Sequence, residues 1–384
     1  REAAGTPFPE MVKVGRGIWH CLHPEWLEDQ LAKSRERLGV ECLDVCLLHN
    51  PEYFLSEAAS REVPLEQART EFYQRLKLAF GWFEGAVERG EIRCYGVSSN
   101  TSVASATERD ATDLARMLAA AEAAAPGGHH FRVLQLPYNL LEPGAALTKN
   151  SGSPAVPVLE FAQARKVAVL VNRPLNAITA AGVMRLAEPE DLESGVPMEA
   201  SMAQLEGIER EFRTNIAPSI QTGKGAPPPQ ALLDWAAHLR RLPLKTLTLA
   251  QWNDIESQVV APRTAQVLSA LDRGLQGAAA ESWRELRDRY VQILSRVLHA
   301  YRARAVAHSR ADARALAAKL DPTLPAERRK ATLSQKSLHI LASTPGVTSV
   351  LVGMRRAAWV DDVMAAADWP KLPRMVECLE AAIP

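Results

Sequence analysis

The sequence has little of what marks a secreted, membrane or nucleic-acid-binding protein. Its 384 residues hold five cysteines, and an odd count with no CxxC pair indicates reduced thiols in a reducing compartment. No apolar run approaches the ~18 residues that a membrane helix needs. The 45 basic and 45 acidic side chains leave no net charge, so nucleic acid and anionic membranes are not expected partners. A cytoplasmic protein is therefore expected.

Signals for targeting, metal binding and phosphate binding are also missing. Residue 1 is Arg rather than Met, which indicates that the natural start lies elsewhere and leaves an organelle open as the location. Cys42 and Cys46 lack the further ligands of a zinc site. The segment from Trp19 to His23 also lacks such ligands, so we expect it to pack before a helix. No glycine-rich phosphate loop is present.

What the chain does contain is an alternation of short apolar runs with long amphipathic stretches, the pattern of parallel strands joined by helices. The predicted strands cover about 42–48, 92–97, 132–136, 167–171 and 348–352. The predicted helices between and around them cover about 24–38, 64–89, 111–124, 157–165, 333–343 and 358–367. Right-handed crossovers favour either a doubly wound open sheet or a closed (β/α)₈ barrel.

Polar residues follow directly after each predicted strand. They are His49, Ser98, Asn100, Gln135, Asn172, Arg173, Arg355 and Arg356. In a barrel all such positions meet at one mouth, whereas an open sheet concentrates them at one switch point. Five strand ends with polar residues favour the barrel. Because a barrel of this kind needs eight strands, the expected fold is an α/β, TIM (β/α)₈ barrel that is N-terminally incomplete.

The strand–helix alternation stops between Gly182 and Pro325, where the chain reads as charged helices. We expect three parts: residues 1–182 as barrel strands four to seven, 183–330 as a helical insertion, and 331–384 as the last strand with C-terminal helices. The charged faces of the insertion are expected to be solvated, and binding of a protein partner is the alternative.

Five segments resemble the aldo-keto reductases, in the order in which that family carries them. They are Leu47–Glu52, Gly90–Asn100, Leu134–Asn139, Val171–Leu175 and Ser349–Arg356. The resemblance covers most of residues 20–180 and 330–370, and five ordered motifs are far more specific than one. It implies a (β/α)₈ barrel and an oxidoreductase that reduces an aldehyde, ketone or sugar carbonyl, or oxidises the alcohol.

The resemblance also assigns one catalytic residue. Reduction by hydride leaves an alkoxide that needs polarisation and a proton, and the family divides this work among an Asp, a Tyr, a Lys and a His. His49 matches the histidine, and a strand-end histidine satisfied by backbone groups is the alternative. The other three are expected on strands that precede Arg1. Tyr53 lies on the wrong loop for the family's tyrosine.

The cofactor residues follow from the same resemblance. Ser98, Asn100 and Gln135 correspond to residues that hold the nicotinamide carboxamide, which needs donors and acceptors in one plane. For Gln135, pairing with a neighbouring strand end is the alternative. Asn172 stands where the family usually stacks a tyrosine on the nicotinamide. Arg173 either meets the pyrophosphate or pairs with a carboxylate.

The last motif concerns the adenosine end of the cofactor. Gly353, Arg355 and Arg356 match the family's adenosine loop, and a guanidinium fits a 2′-phosphate bidentately, which favours NADP(H) over NAD(H). Ordinary surface charge is the alternative for both arginines. Loss of the stacking aromatic and the long insertion also support a second hypothesis: a catalytically inactive barrel that acts as a nucleotide-binding regulatory or scaffold subunit.

Overall fold

The computed structural model describes residues 7–15, 17–179, 182–193, 195, 197–221 and 228–383. The chain forms two compact units, Arg1–Ala177 with Leu320–Pro384, and Ile178–Lys319. The strands are β1 (Val12–Gly15), β2 (Ile18–His20), β3 (Leu43–His49), β4 (Ile92–Ser98), β5 (Phe131–Pro137), β6 (Lys149–Ser151), β7 (Val156–Pro157), β8 (Ala168–Asn172), β9 (Asn176–Thr179), β10 (Gly182–Arg185) and β11 (Val347–Val350). The α-helices are α1 (Pro24–Leu38), α2 (Tyr53–Ser60), α3 (Leu65–Glu88), α4 (Leu114–Ala124), α5 (Gly144–Leu147), α6 (Val158–Ala164), α7 (Met198–Asn215), α8 (Trp235–Leu239), α9 (Leu249–Ile255), α10 (Ala261–Gly274), α11 (Gly277–Leu320), α12 (Leu333–Ser343), α13 (Ala357–Met364) and α14 (Met375–Ala382).

Five parallel strands form the main sheet of the first unit, in the order β11-β8-β5-β4-β3. Helices α3, α4 and α6 lie between successive strands in the sequence, as expected for right-handed crossovers. The predicted α/β class and the five parallel strands are therefore confirmed. Strands β3 and β11 are the two edges of this sheet.

An aromatic cluster fixes helix α3 on the sheet. Phe83 stacks on Tyr95 with ring centroids 5.2 Å apart, and Phe80 meets Phe131 edge-on at 5.5 Å. Such ring pairs are each worth about 0.5–1.5 kcal/mol beyond the area they bury. Next to Tyr95, Gly96 lets β4 lie close to β5, because a Cβ at this position would overlap the Val133 carbonyl oxygen.

Helix ends agree with the sequence where a capping residue marks them. Helix α1 runs from Pro24 to Leu38 as predicted, with the His23 side chain accepting from the backbone at its start and Gly39 in the left-handed region at its end, φ 66°. Helix α4 begins at Leu114, three residues later than predicted. The reason is that the Asp113 side chain accepts a hydrogen bond from the Ala115 N–H and caps the helix there.

Several short elements of the first unit are absent from the sequence-based prediction. Strands β1 and β2 form a short antiparallel hairpin, and β2 includes part of the segment expected only to pack before a helix. Helix α2 follows His49 closely, and α14 lies near the end of the chain. Each of these strands and helices is at most eight residues long, which gives too few repeats for periodicity to show.

The second unit is helical and has its own core. Four of its largest buried side chains are Phe212, Trp252, Trp283 and Tyr290. Two helices predicted over 278–307 and 311–320 form the single helix α11. The predicted helix over 228–240 is instead a 3₁₀ turn and the five-residue α8. No helix of the described residues is long and apolar enough to cross a membrane.

Candidate functional site

The carboxyl ends of the sheet strands bring several predicted site residues into one row. In the strand register, His49 faces Ser98, and Ser98 faces Gln135. Two residues further along β5, Pro137 faces Asn172. We call His49, Ser98, Gln135 and Asn172 the strand-end row. Its position is the one at which parallel α/β proteins place their ligands.

The His49 side chain is exposed, and its ring forms no hydrogen bond with any residue that the structure describes. Its backbone carbonyl, by contrast, accepts a hydrogen bond of 2.7 Å from the His20 Nε2–H. The alternative given for His49 is a ring whose hydrogen bonds are made to backbone groups. The described residues do not show such bonds. The imidazole remains available to a ligand.

His20 is a neighbour of the site, in the segment that the sequence predicted only to pack before a helix. Burial lowers the pKa of His20, the backbone hydrogen bond to His49 raises it, and the nearby His49 imidazole lowers it further. Its ring also meets the Tyr53 ring edge-on, with centroids 5.6 Å apart. His20 therefore stays a neutral donor that fixes the end of β3.

Ser98 and Gln135 form a pair in the middle of the strand-end row. Ser98 is buried, and the Gln135 Nε2 donates a hydrogen bond of 2.9 Å to the Ser98 hydroxyl oxygen. Gln135 therefore pairs with a residue at a neighbouring strand end, which is the alternative that the sequence left open for it. The same bond leaves the Ser98 hydroxyl hydrogen and the Gln135 carbonyl oxygen pointing to no partner among the described residues.

Asn100 lies in the loop after β4 and is held by the loop after β3. Its backbone N–H donates to the Glu52 Oε1 at 2.8 Å, and its Nδ2 donates to the Asn50 Oδ1 at 3.1 Å. Asn50 has a positive φ of 48°, which asparagine tolerates better than most residues. Burial raises the pKa of the Glu52 carboxyl, and the Asn100 N–H opposes that rise. The sequence-based prediction did not include Glu52 or Asn50.

Arg173 pairs with a carboxylate, the second of its two predicted alternatives. Its Nη2 donates to the Glu142 Oε1 at 3.2 Å. Glu142 is itself held by Asn139, whose Nδ2 donates to the other carboxylate oxygen at 2.7 Å. Nearby, the Asn172 Oδ1 and the Arg173 Nε are buried and have no hydrogen-bond partner in the described part of the chain.

The residues predicted for the adenosine end lie beyond edge strand β11 and are all exposed. Arg356 is the N-cap residue of α13, and Arg355 directly precedes it. Their guanidinium carbons lie 5.4 Å and 6.0 Å from the centre of the Trp359 ring. Two cations at the positive end of a helix dipole are unfavourable unless an anion joins them. Gly353 lies in the same loop.

The strand-end row and Asn100 have the donors and acceptors that a nicotinamide carboxamide would need. That group offers one acceptor oxygen and two N–H donors, so it needs a donor and acceptors in return. The Ser98 hydroxyl is a donor, while the Gln135 and Asn100 amide oxygens and the unpartnered Asn172 Oδ1 are acceptors. Within the described residues, no group of His, Cys, Asp and Glu side chains is placed to hold a metal ion.

A parallel sheet with polar side chains gathered at its strand ends is the arrangement in which α/β proteins place their ligand sites. The model of the aldo/keto reductase family matches residues 12–383. The chain belongs to this family, whose members are oxidoreductases that act on carbonyl and alcohol groups. No curated protein matches the chain.

Solved structures similar to the chain are also aldo-keto reductases. A thermostable enzyme in complex with the inhibitor epalrestat is 13% identical, with a TM-score of 0.38 over 94% of this chain and 67% of that one. An aldo-keto reductase from Bacillus halodurans in its holo form is 11% identical, with a TM-score of 0.39 over 97% and 70%. A glycerol dehydrogenase from Gluconobacter oxydans is 12% identical, with a TM-score of 0.41 over 97% and 69%.

The family match begins at Val12 and so includes the hairpin β1–β2. Strand β1 carries a lysine, Lys13, whose ammonium lies 4.1 Å from the centre of the Trp19 ring. Strand β1 packs on α2, the helix that begins directly after Glu52. Strand β2 carries His20, which holds the His49 carbonyl. The hairpin therefore adjoins the end of β3.

Proposed function

We propose that the chain is an NADP(H)-dependent oxidoreductase that interconverts an aldehyde, ketone or sugar carbonyl with its alcohol. The five-stranded sheet is then part of a (β/α)₈ barrel, and the strand-end row lies at its mouth. The observation that carries the proposal is the register that sets His49, Ser98 and Gln135 side by side, with the His49 ring exposed.

In this proposal each residue of the strand-end row, and Asn100 beside it, has a distinct task. NADPH, when bound, supplies the hydride. The exposed His49 imidazole donates a hydrogen bond to the substrate oxygen, which polarises the carbonyl and stabilises the charge that develops there. Ser98, Gln135 and Asn100 hold the carboxamide, and Asn172 adds a polar contact in place of a stacking ring.

We further propose that Lys13 is the lysine of the catalytic set. The family's catalytic set includes a lysine on a strand near the histidine. Hairpin β1–β2 adjoins His49 through the hydrogen bond from His20 to the His49 carbonyl. Lys13 lies on β1 and is exposed.

The adenosine end is assigned to the last loop. Gly353, Arg355 and Arg356 bind the 2′-phosphate, because two adjacent guanidinium groups at a helix start favour a doubly charged anion. Arg173 is already paired with Glu142. In this proposal it shapes the loop after β8 and has no pyrophosphate to bind.

Titration of the protein with NADPH and with NADH, followed by cofactor fluorescence, tests the assignment. NADPH is expected to bind at least about tenfold more tightly, and the double variant Arg355→Ala/Arg356→Ala should remove that preference without weakening NADH. A matched control is Arg93→Ala, since Arg93 is also exposed and lies on β4.

No binding of either cofactor would overturn the proposal. Binding without turnover across a panel of aldehydes, ketones and sugars would instead favour a nucleotide-binding regulatory or scaffold subunit. That second function is favoured by Asn172 in the place of a stacking tyrosine and by the helical unit Ile178–Lys319, which offers a surface for a protein partner.

A further inference from the structure

The loops that follow β3 and β4 are joined by a buried carboxyl group. Glu52 is 2% exposed, and it is the residue directly before α2. Its Oε1 accepts the backbone N–H of Asn100 from 48 residues further along the chain. A buried carboxyl group is costly unless its oxygens find donors, so its presence here requires a reason.

The geometry of the sheet explains why a side chain must accept this bond. Strand β4 ends at Ser98, and in the neighbouring strand the Asn50 N–H donates to the Ser98 carbonyl at 2.8 Å. The chain then turns at Asn50, with φ 48°, so β3 offers no further carbonyl to the N–H of Asn100. The Asn100 N–H still needs an acceptor, and the Glu52 Oε1 takes the place of the missing strand carbonyl.

The same arrangement orients the Asn100 side chain. With its backbone held by Glu52, Asn100 donates its Nδ2 to the Asn50 Oδ1 at 3.1 Å. This bond uses the amide nitrogen and leaves the amide oxygen as an acceptor for a ligand. Because Asn50 directly follows His49, the pair also links the carboxamide site to the residue that polarises the carbonyl.

We propose that Glu52 is a positioning residue that, through the Asn100 N–H, sets the Asn100 amide against the nicotinamide end of the cofactor and keeps it in register with His49. The assignment rests on the proposed function. Glu52 acts through Asn100 and not on the ligand itself, because the side chain is 2% exposed and its Oε1 accepts the Asn100 N–H.

The proposal predicts different effects on binding at the two ends of the cofactor, and a separate ligand for each end tests this. Reduced nicotinamide mononucleotide reports on the nicotinamide end alone, and 2′,5′-ADP reports on the adenosine end alone. Glu52→Leu should raise the Kd for the mononucleotide about tenfold, as expected for one lost hydrogen bond. The Kd for 2′,5′-ADP should not change, and the kcat for carbonyl reduction should fall.

Two further variants distinguish positioning from general loss of structure. Glu52→Gln keeps an acceptor oxygen, so the Kd for each ligand should stay within about twofold of the wild-type value. Asn50→Gly suits the positive φ but removes the Oδ1 that holds Asn100, so it should weaken the mononucleotide alone, even if Glu52→Leu fails to fold.

Glu84→Leu is the matched control. Glu84 is another buried carboxylate of the same unit, and it bonds Tyr95 and His130 rather than the strand-end row. Below its melting temperature this variant should bind both ligands as the wild type does. Glu84→Leu weakening the mononucleotide alone would contradict a specific role for Glu52.

The outcomes also separate this assignment from the proposed function. If the wild type binds neither the mononucleotide nor 2′,5′-ADP, the proposed function fails and the assignment fails with it. If the wild type binds both, but Glu52→Leu and Asn50→Gly change both affinities equally or change neither, only the assignment of Glu52 is overturned.

Discussion

At the scale of single residues, Glu84 shows how one carboxylate organises the amino end of the sheet. Its Oε1 accepts from the Tyr95 hydroxyl at 2.8 Å and from the His130 N–H at 2.7 Å, while Oε2 lies 2.7 Å from the His130 Nδ1. Burial raises the pKa of Glu84, but the bonds from His130 and Tyr95 lower it by more, so the pKa lies below its ordinary value.

A lowered pKa means that ionised Glu84 stabilises the fold above the ordinary carboxyl pKa, and that this stability is lost as the pH falls through the lowered value. We expect Glu84→Gln to reduce the free energy of unfolding by about 1–3 kcal/mol at pH 7. The deficit should shrink as the pH is lowered towards about pH 3, because protonation of the wild-type carboxylate removes the same charge. Urea unfolding at both pH values measures it.

Glu66→Gln is the control for this experiment, because the Glu66 side chain is 82% exposed and surface ion pairs contribute little. It should leave the free energy of unfolding nearly unchanged at both pH values. An equal deficit for Glu84→Gln at pH 7 and pH 3 would show that the shape of the side chain matters and its charge does not.

Residue-scale prediction from sequence works where chain-local rules apply. His49, Ser98 and Gln135 are found because polar residues directly after parallel strands meet at one end of a sheet. The contacts of Glu52 and His20 are not predictable in this way, since their partners Asn100 and His49 lie 48 and 29 residues away in the sequence. No spacing rule links such pairs.

At the scale of elements, long periodic segments were predictable and short or interrupted ones were not. Pro262 lies in the first turn of α10, where a missing N–H costs nothing. The gap expected between two helices near residue 308 is continuous α11, because residues 308–310 include neither glycine nor proline. Hairpin β1–β2 was missed because its strands have four and three residues.

The hairpin carries a prediction of its own. If Lys13 belongs to the catalytic set, Lys13→Met should lower kcat at least about a hundredfold, the lower end of the contribution of one positioned acid–base group. The Kd for NADPH should stay near its wild-type value. Stopped-flow measurement of NADPH oxidation with a carbonyl substrate separates these two quantities.

Lys33→Met is the matched control, since Lys33 is an exposed lysine of α1 that pairs with Asp29 in the same helix. It should leave kcat unchanged. Wild-type kcat in Lys13→Met would remove Lys13 from the catalytic set and leave hairpin β1–β2 with its structural contact to His49 alone.

At the scale of the whole molecule, one family match covers two compact units. The match over residues 12–383 spans both the sheet-containing unit and the helical unit Ile178–Lys319. The candidate site residues all belong to the first unit. The break in the strand–helix alternation made a separate helical region predictable, whereas its internal helix bounds depended on packing around Trp252 and Trp283.

Turnover of the whole protein with and without the His49 imidazole is the most direct test of the central claim. We expect His49→Ala to reduce kcat for carbonyl reduction by about 10²–10³, the effect of removing one group that stabilises the developing oxyanion. The Kd for NADPH should stay within about twofold, because Ser98, Asn100 and Gln135 hold the cofactor. An unchanged kcat in His49→Ala, or a loss of NADPH binding that matches the loss of kcat, would contradict the account.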